Sequence, residues 1–487
     1  EHTLTMFGRW DISSRVNNAL ALTAHGYPNE HMNDFLFGFD MPNRPTGGDS
    51  KTRSIGLIGQ VSYMYATRYS VDLSLRTDLS SSFGADNRLA PFWSLGGRWN
   101  VDREKWFTRN DWISELSLRS SIGVTGSQNY SPYQAIQTYT FNHFMHPYVS
   151  SDVIGAELMA LGNPNLGWSS TLEKSLGVNA SFLKNRLHAS FSMYDNYTDQ
   201  LLVDFTAAPS VGFDSYIENA GAIKNTGYQF NVSLFLYENI SERIQWIVSL
   251  NGANNRNRVE KISNSLEAYN RAALENKNAA PPMYVEGEST SRIFLVPSLG
   301  IDPATGQELY LNKDDQPTFI WSAADKRAVG DSNPDLHGNI NSSFTYKNLS
   351  LSCSFMYEFG AQRYNNTLVE KIENADLAYN ADARVLTERW SPDNREALYK
   401  AINIKGQSTN ASTRFLQDYN EMRFSAISLS YRFEPGVHEF LNRLNIGSMT
   451  LSGHMNDIGR FSSIKQERGL DYPFARTFSC SLSIVFK

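Results

Sequence analysis

The residues of this 487-residue chain that could do chemistry are scattered, and none falls in a spacing that catalysis uses. There is no HExxH helix, no GxSxG elbow, no phosphate-cradling P-loop and no CxxC pair. Gly48-Asp49-Ser50 presents a serine in what reads as a polar turn, with no histidine nearby to act as its base. Nine histidines never pair at metal-ligand spacing; His143 and His146 share a loop with Tyr139, Phe141 and Phe144 and read as loop surface. Asp302 and Asp314-Asp315 carry oxygens that a Ca²⁺ would accept, but beside Gly, Pro and Asn they read as solvated turns. No catalytic residue, metal or cofactor is expected. The two cysteines, Cys353 and Cys480, fall on apolar alternate positions of segments about three strand spacings apart, roughly 14 Å, beyond disulfide reach.

What remains is recognition chemistry. Asp72, Arg76, Arg98 and Arg119 sit at polar positions of alternating segments. Tyr133, Tyr139, Trp168, Trp321, Trp390 and Phe35 sit in long connections, where binding residues concentrate. Aromatic faces stack on sugar rings; they serve equally to pack loops together.

The elements that position these residues alternate with period two. Phe478, Cys480, Leu482, Ile484 and Phe486 oppose Thr477, Ser479, Ser481 and Ser483. Leu349, Leu351, Cys353 and Phe355 likewise oppose Ser350, Ser352 and Ser354. The same script recurs over Leu176–Phe182, Tyr228–Leu236 and Ile427–Phe433, and more weakly around Leu20, Ile55–Tyr65, Val71–Leu75, Leu116–Val124, Leu187–Met193, Ile244–Leu250, Ile340–Tyr346 and Met449–Met455. Apolar on one side and small polar on the other reads as a strand between lipid and a wet lumen. A soluble sandwich also alternates, so connection lengths decide. Tight turns at 66–68, 183–186, 237–241 and 346–348 alternate with long connections over about 26–53, 125–170, 205–226, 256–335, 361–420 and 457–473. That is the pattern of short periplasmic turns and long extracellular loops.

Composition agrees. Charged residues are 19% and aromatics 13%, while mean hydropathy is −0.40, and no apolar run approaches the ~20 residues of a spanning helix. A net charge of −6 without a basic stripe disfavours nucleic acid. The length exceeds a usual single soluble core of about 250–300 residues and shows no linker. The expectation is one domain over 1–487, an all-β transmembrane antiparallel barrel embedded in outer-membrane lipid.

About fifteen strands are expected, counting Thr3–Trp10 as the first. An odd count ending in the periplasm places residue 1 outside the cell, and such a wall cannot close on itself without bare edges in hydrocarbon. Neither a basic n-region nor a hydrophobic run opens the chain. A missing N-terminal portion is therefore expected, with the break in an extracellular loop.

Several stretches resemble the SusC/RagA-type TonB-dependent transporters of Bacteroidetes. They are Ser81-Ser82-Phe83-Gly84-Ala85-Asp86-Asn87-Arg88, the run Leu118–Asn129, Gly162-Asn163-Pro164-Asn165-Leu166-Gly167-Trp168, and Asn219-Ala220-Gly221 through Asn225-Thr226-Gly227. Gly300–Gly306, Gly330-Asp331-Ser332-Asn333-Pro334-Asp335 and Arg423–Tyr431 continue the series. Singly each is weak; their order from about residue 53 to the end is not. The resemblance implies a 22-stranded barrel with a plugged lumen, in the outer membrane of a Gram-negative bacterium of the Bacteroidetes. It implies a SusD-like surface lipoprotein over the mouth and energy from TonB-ExbB-ExbD through a box ahead of the plug. Neither box nor plug lies in these residues, so about fifteen of 22 strands are expected here. The implied function is import of oligosaccharides or peptides, and the alternative is a SusC-like scaffold that imports nothing. Arg76, Arg98, Arg119, Tyr133, Trp168 and Trp321 are the candidate binding residues, with the arginines open to cargo contact or to ion pairs with the plug.

Overall fold

The computed structural model describes residues 1–32, 34–43, 45–107, 112–127, 131–144, 153–206, 213, 215–277, 280–376, 378, 380–401, 409–465 and 475–487. Fourteen strands form one sheet in which every neighbour in sequence order is a neighbour in space. They are β1 (His2–Ala21), β2 (Thr46–Tyr65), β3 (Tyr69–Ser80), β4 (Leu89–Asn100), β5 (Ile113–Ser127), β6 (Ser169–Phe182) and β7 (Leu187–Thr206). There follow β8 (Ser215–Asn239), β9 (Ile244–Lys261), β10 (Leu336–Tyr346), β11 (Leu349–Tyr364), β12 (Leu416–Phe433), β13 (Ile446–Ser462) and β14 (Phe478–Phe486). All thirteen pairings are antiparallel, as the up-and-down meander of a transmembrane barrel requires. No helix among the described residues is long and apolar enough to cross a membrane, so any crossing falls to strands.

The tight turns sit at one end. Ala66 and Thr67 between β2 and β3, Leu183 to Asn185 between β6 and β7, Arg243 between β8 and β9, and Lys347 between β10 and β11 all take left-handed backbone angles, the geometry of short hairpins. Aromatic rings ring that end: Trp246 meets Phe344 at 6.4 Å and Tyr431 meets Phe433 at 4.7 Å. Tyr63, Tyr65 and Tyr346 stand exposed there. Rings with a wet edge and an apolar body belong at a membrane interface. The opposite end carries the connections 22–45, 128–168, 262–335, 365–415 and 463–477.

Several strands run further out than their alternation suggested. β7 and β8 continue to Thr206 and from Ser215, which shrinks the connection expected over 205–226. Gly48-Asp49-Ser50 pairs with β1 inside β2 instead of lying in a turn. Both corrections have one cause: above the lipid, strands no longer need an apolar face, so alternation fades while the ladder continues.

One correction reverses a direction. Thr3–Trp10 and the stretch around Leu20 belong to a single 20-residue strand, paired without interruption to β2. The sheet therefore has fourteen strands among the described residues. Residue 1 lies at the tight-turn end, where the Ala66 amide donates to the Glu1 carbonyl at 2.8 Å, and not outside. Polar Asn17-Asn18 interrupt the alternation and made one strand read as two. The absence of a β1–β14 ladder among the described residues leaves both strands with one bare edge each.

Candidate functional site

Register determines which side chains share the face of the small polar residues, the lumen face. Near the tight-turn end that face is Thr345, Ser350, Ser430, Ser452 and Ser481, directly opposite one another on β10 to β14. Further out, one continuous row of cross-strand partners runs Arg98, Arg119, Gly177, Ser192, Gln229, Ala253, His337, Glu358, Glu421. Its charge is segregated: two guanidinium groups at β4 and β5, small residues, one amide and one imidazole in the middle, two carboxylates at β11 and β12.

Two cavities open along this row and share His337 and Asn339. One, of about 510 Å³, is lined by Arg119, Ser192, Gln229, Asn231 and Asn251. The other, of about 490 Å³, is lined by Glu358, Arg363, Tyr419, Glu421, Arg423 and Arg460. Together they make a polar trough, rich in amide groups that can both donate and accept.

Arg98 and Arg119, both picked out in the sequence, are thus brought face to face on adjacent strands. Neither has an ion-pair partner among the described residues. Gly177 makes this possible for Arg119, whose Nε would lie 2.6 Å from a Cβ there. Asp72 stands on the same face, opposite Gly96. Arg76 is elsewhere, bound to Asp78 at 2.6 Å beside the Arg9–Asp11 pair at 2.7 Å; Gly56 leaves room between Asp11 and Asp78.

The loop aromatics have structural partners. Trp168 is only 6% exposed, stacked on Phe83 at 4.2 Å and edge-on to Phe92 at 5.5 Å. The short motifs of the 81–88, 162–168 and 219–221 stretches meet in this knot. Gly84 donates to the Leu166 carbonyl at 2.9 Å, Asn87 to the Asn165 carbonyl at 2.7 Å, and Asn163 to the Ile217 carbonyl at 2.9 Å. Asn219 accepts from the Gly167 amide at 2.8 Å and donates to the Gly167 and Gln200 carbonyls. A Cβ on Gly84 would sit 1.8 Å from the Pro164 carbonyl oxygen. Trp168 therefore packs the knot and offers no face to a ligand, because three loops close over it. Tyr133, with a left-handed backbone at φ 71°, accepts from the Lys51 amide at 2.7 Å. Tyr139 and Phe35 are exposed.

Trp321 and Trp390 belong to a cap built from the two longest connections. Trp321 donates to the Ala411 carbonyl at 3.0 Å under the Lys326 ammonium, and Trp390 donates to the Pro303 carbonyl at 3.0 Å across Gly306. Lys326 donates to the carbonyls of Ala273 and Asn276, at the end of α1 (Asn264–Glu275); burial pushes its amine below the ordinary value. Val296 and Ser412 bridge the connections directly. Arg414 joins them by pairing with Glu308 at 2.9 Å and Glu373 at 2.6 Å, all three side chains at most 9% exposed. Burial works against the Arg414 charge, but the two carboxylates outweigh it and hold its pKa above the ordinary value. Asp302 is held by Thr305 and Asp315 by Arg327. His146, the side chains of Phe141, His143 and Phe144, and Gln128-Asn129 lie outside the described residues.

Sequence reasoning missed the cluster of Glu358, Arg363, Glu421, Arg423 and Arg460. The available signal was the appearance of charge at polar positions of β11 to β13 beyond the serine-rich stretch. A bulge at Gly360, φ 81°, shifts the alternation there, and a second falls between Phe424 and Ala426.

The fourteen-stranded sheet agrees with what comparison with known proteins finds. Residues 2–284 match the family described as TonB dependent receptor-like, beta-barrel. A TonB-dependent receptor of Formosa agariphila is 24% identical over 522 residues, covering all of this chain and 51% of the relative. The TonB-dependent receptor SusC of Bacteroides thetaiotaomicron is 23% identical, covering 89% of this chain and 44% of its own. The RagAB peptide importer in its closed-closed state superposes with a TM-score of 0.81 at 22% identity, over 99% of this chain and 53% of that one, a likeness of fold. The chain spans about half the length of the curated relatives it matches. The fourteen-stranded sheet of the described residues is part of a barrel wall in the outer membrane, and the chain belongs to the TonB dependent receptor-like β-barrel family.

Proposed function

We propose that this chain is the larger part of the wall of a 22-stranded, TonB-dependent importer of oligosaccharides or peptides in the outer membrane of a Gram-negative bacterium of the Bacteroidetes. The remaining polypeptide supplies about eight strands, which satisfy the bare edges of β1 and β14, together with the plug and the segment that TonB-ExbB-ExbD engages. The serine-rich lower lumen leaves room for that plug. A SusD-like lipoprotein delivers cargo to the loop end, and the protein carries out no reaction on it. The RagAB structures, named for peptide transport, favour a peptide cargo, and RagAB and SusC together favour the lipoprotein pairing.

The observation that carries the reading is the amide-rich trough from Arg119 to Glu358. It offers hydrogen bonds suited to hydroxyl or peptide groups and spans several strands, the dimension of an oligomer. Arg98 and Arg119 face cargo or plug at one end; Arg76, Tyr133, Trp168 and Trp321 keep walls and loops in place. The test is uptake of fluorescent glycan and peptide oligomers by cells carrying the complete transporter, a deletion, or Gln229→Leu with Asn231→Leu. Loss of uptake on deletion and impairment in the double variant are expected. Unchanged uptake in the deletion strain for every oligomer refutes import and favours a scaffold.

A further inference from the structure

The cluster at β11 to β13 contains three guanidinium groups and two carboxylates, and its pairing leaves one cation over. Glu358 is taken by Arg363 at 3.1 Å, whose guanidinium lies 3.5 Å above the Tyr419 ring centre. Glu421 is taken by Arg460 and by the Tyr419 hydroxyl, which donates at 2.5 Å. Arg423 stands between Met356 on β11 and Arg460 on β13 as direct cross-strand partners. Its Nη2 reaches only the Met356 thioether at 2.8 Å, and its Nε is buried with no acceptor. A thioether is a weak acceptor, a buried unmet donor is costly, and like charges directly opposite repel. All of this is relieved by one anion, and the about 490 Å³ cavity beside it has room for one.

We propose that Arg423 anchors a carboxylate-binding site in the lumen wall. A planar guanidinium whose Nε is unmet and whose Nη2 has only a thioether for a partner matches a carboxylate in two parallel hydrogen bonds once the thioether gives way. Arg460 lends charge from the next strand, while Glu358 and Glu421 repel a second carboxylate and favour a ligand carrying a positive or neutral group beyond the first. The site rests on the assignment of this face to the lumen. The carboxylate comes either from the cargo or from an acidic side chain of the rest of the polypeptide; the chemistry at Arg423 is the same.

The test uses the complete transporter with its lipoprotein, with folding of each variant checked by heat-modifiable gel migration. N-acetylglycine serves as a minimal carboxylate in titration calorimetry, and an experimental structure of the complete protein is determined. Saturable binding that weakens about tenfold or more in Arg423→Gln, the loss of one charge-assisted pair, and recovers partly in Arg423→Lys supports a cargo carboxylate. No probe binding, with an Asp or Glu of the same polypeptide hydrogen-bonded to Arg423 in that structure, supports an internal one. No probe binding and only Met356 or water at Arg423 overturns the proposal, while the uptake experiment is decided separately.

Discussion

Replacing Arg414 by Gln tests whether the two longest connections form one rigid cap. The side chain is 9% exposed, and its partners Glu308 and Glu373 are 5% and 0% exposed. Ser412 and Tyr310 also donate to Glu308, so that carboxylate is fixed where it is. Removing the cation leaves two buried carboxylates without their ion-pair partner, with Arg389 and Lys400 acting on them only from further off, a loss of about 3–5 kcal/mol. That corresponds to roughly a hundredfold to several-thousandfold rise in the open population of the cap. Hydrogen exchange on the complete transporter reads it directly at Ala411, whose amide donates to the Lys277 carbonyl, and at Thr413, whose amide donates to Val296. Both should lose that much protection while amides of β10 and β11 keep theirs. Arg414→Gln combined with Glu308→Gln and Glu373→Gln should recover most of it, because neutral groups bear burial far better than unpaired ions. Unchanged protection in the single variant, or a triple variant no better than the single, refutes the reasoning.

Three further outcomes are expected. Gly84→Ala, whose Cβ would collide with the Pro164 carbonyl, should open the loop knot, raising exchange at the Gly84 and Gly167 amides by at least tenfold, about 1.4 kcal/mol. Leu429→Arg on the lipid face, two residues inside the Tyr431 ring, should destabilise the barrel in urea by about 1–2 kcal/mol, between the interfacial and midplane costs, whereas neighbouring Ser430→Arg, facing the lumen, should cost far less; equal effects would invert the face assignment. The Arg384 side chain, then the Arg384 amide, holds the Asp382 carboxylate at about 2, below its ordinary value. The folded pKa is depressed, so this turn keeps its stabilisation above about pH 4 and loses it as pH falls toward 2. The protection factor of the Arg384 amide, which donates to Asp382 at 2.9 Å, measured against the intrinsic exchange rate at each pH, should fall across that window and not above it.

The residues alone determined the sheet, its two faces and its in-line topology, because lipid on one side and water on the other force period two wherever a strand crosses. Tight turns were legible for the same reason: few residues and left-handed angles leave few alternatives. The loop motifs were visible as a pattern, but not as one object. Only the tertiary structure brings Phe83, Asn163, Trp168 and Asn219 together, since the strands that carry them pair across long stretches of chain. It likewise decided that Leu20 continues the strand begun at His2, because a ladder tolerates polar residues above the membrane where alternation says nothing. Arg98 and Arg119 were each legible as residues of the polar strand face, yet their juxtaposition is a matter of register. Arg423 was recognisable as neither free nor paired, because a pairing count requires knowing which side chains three adjacent strands place opposite one another.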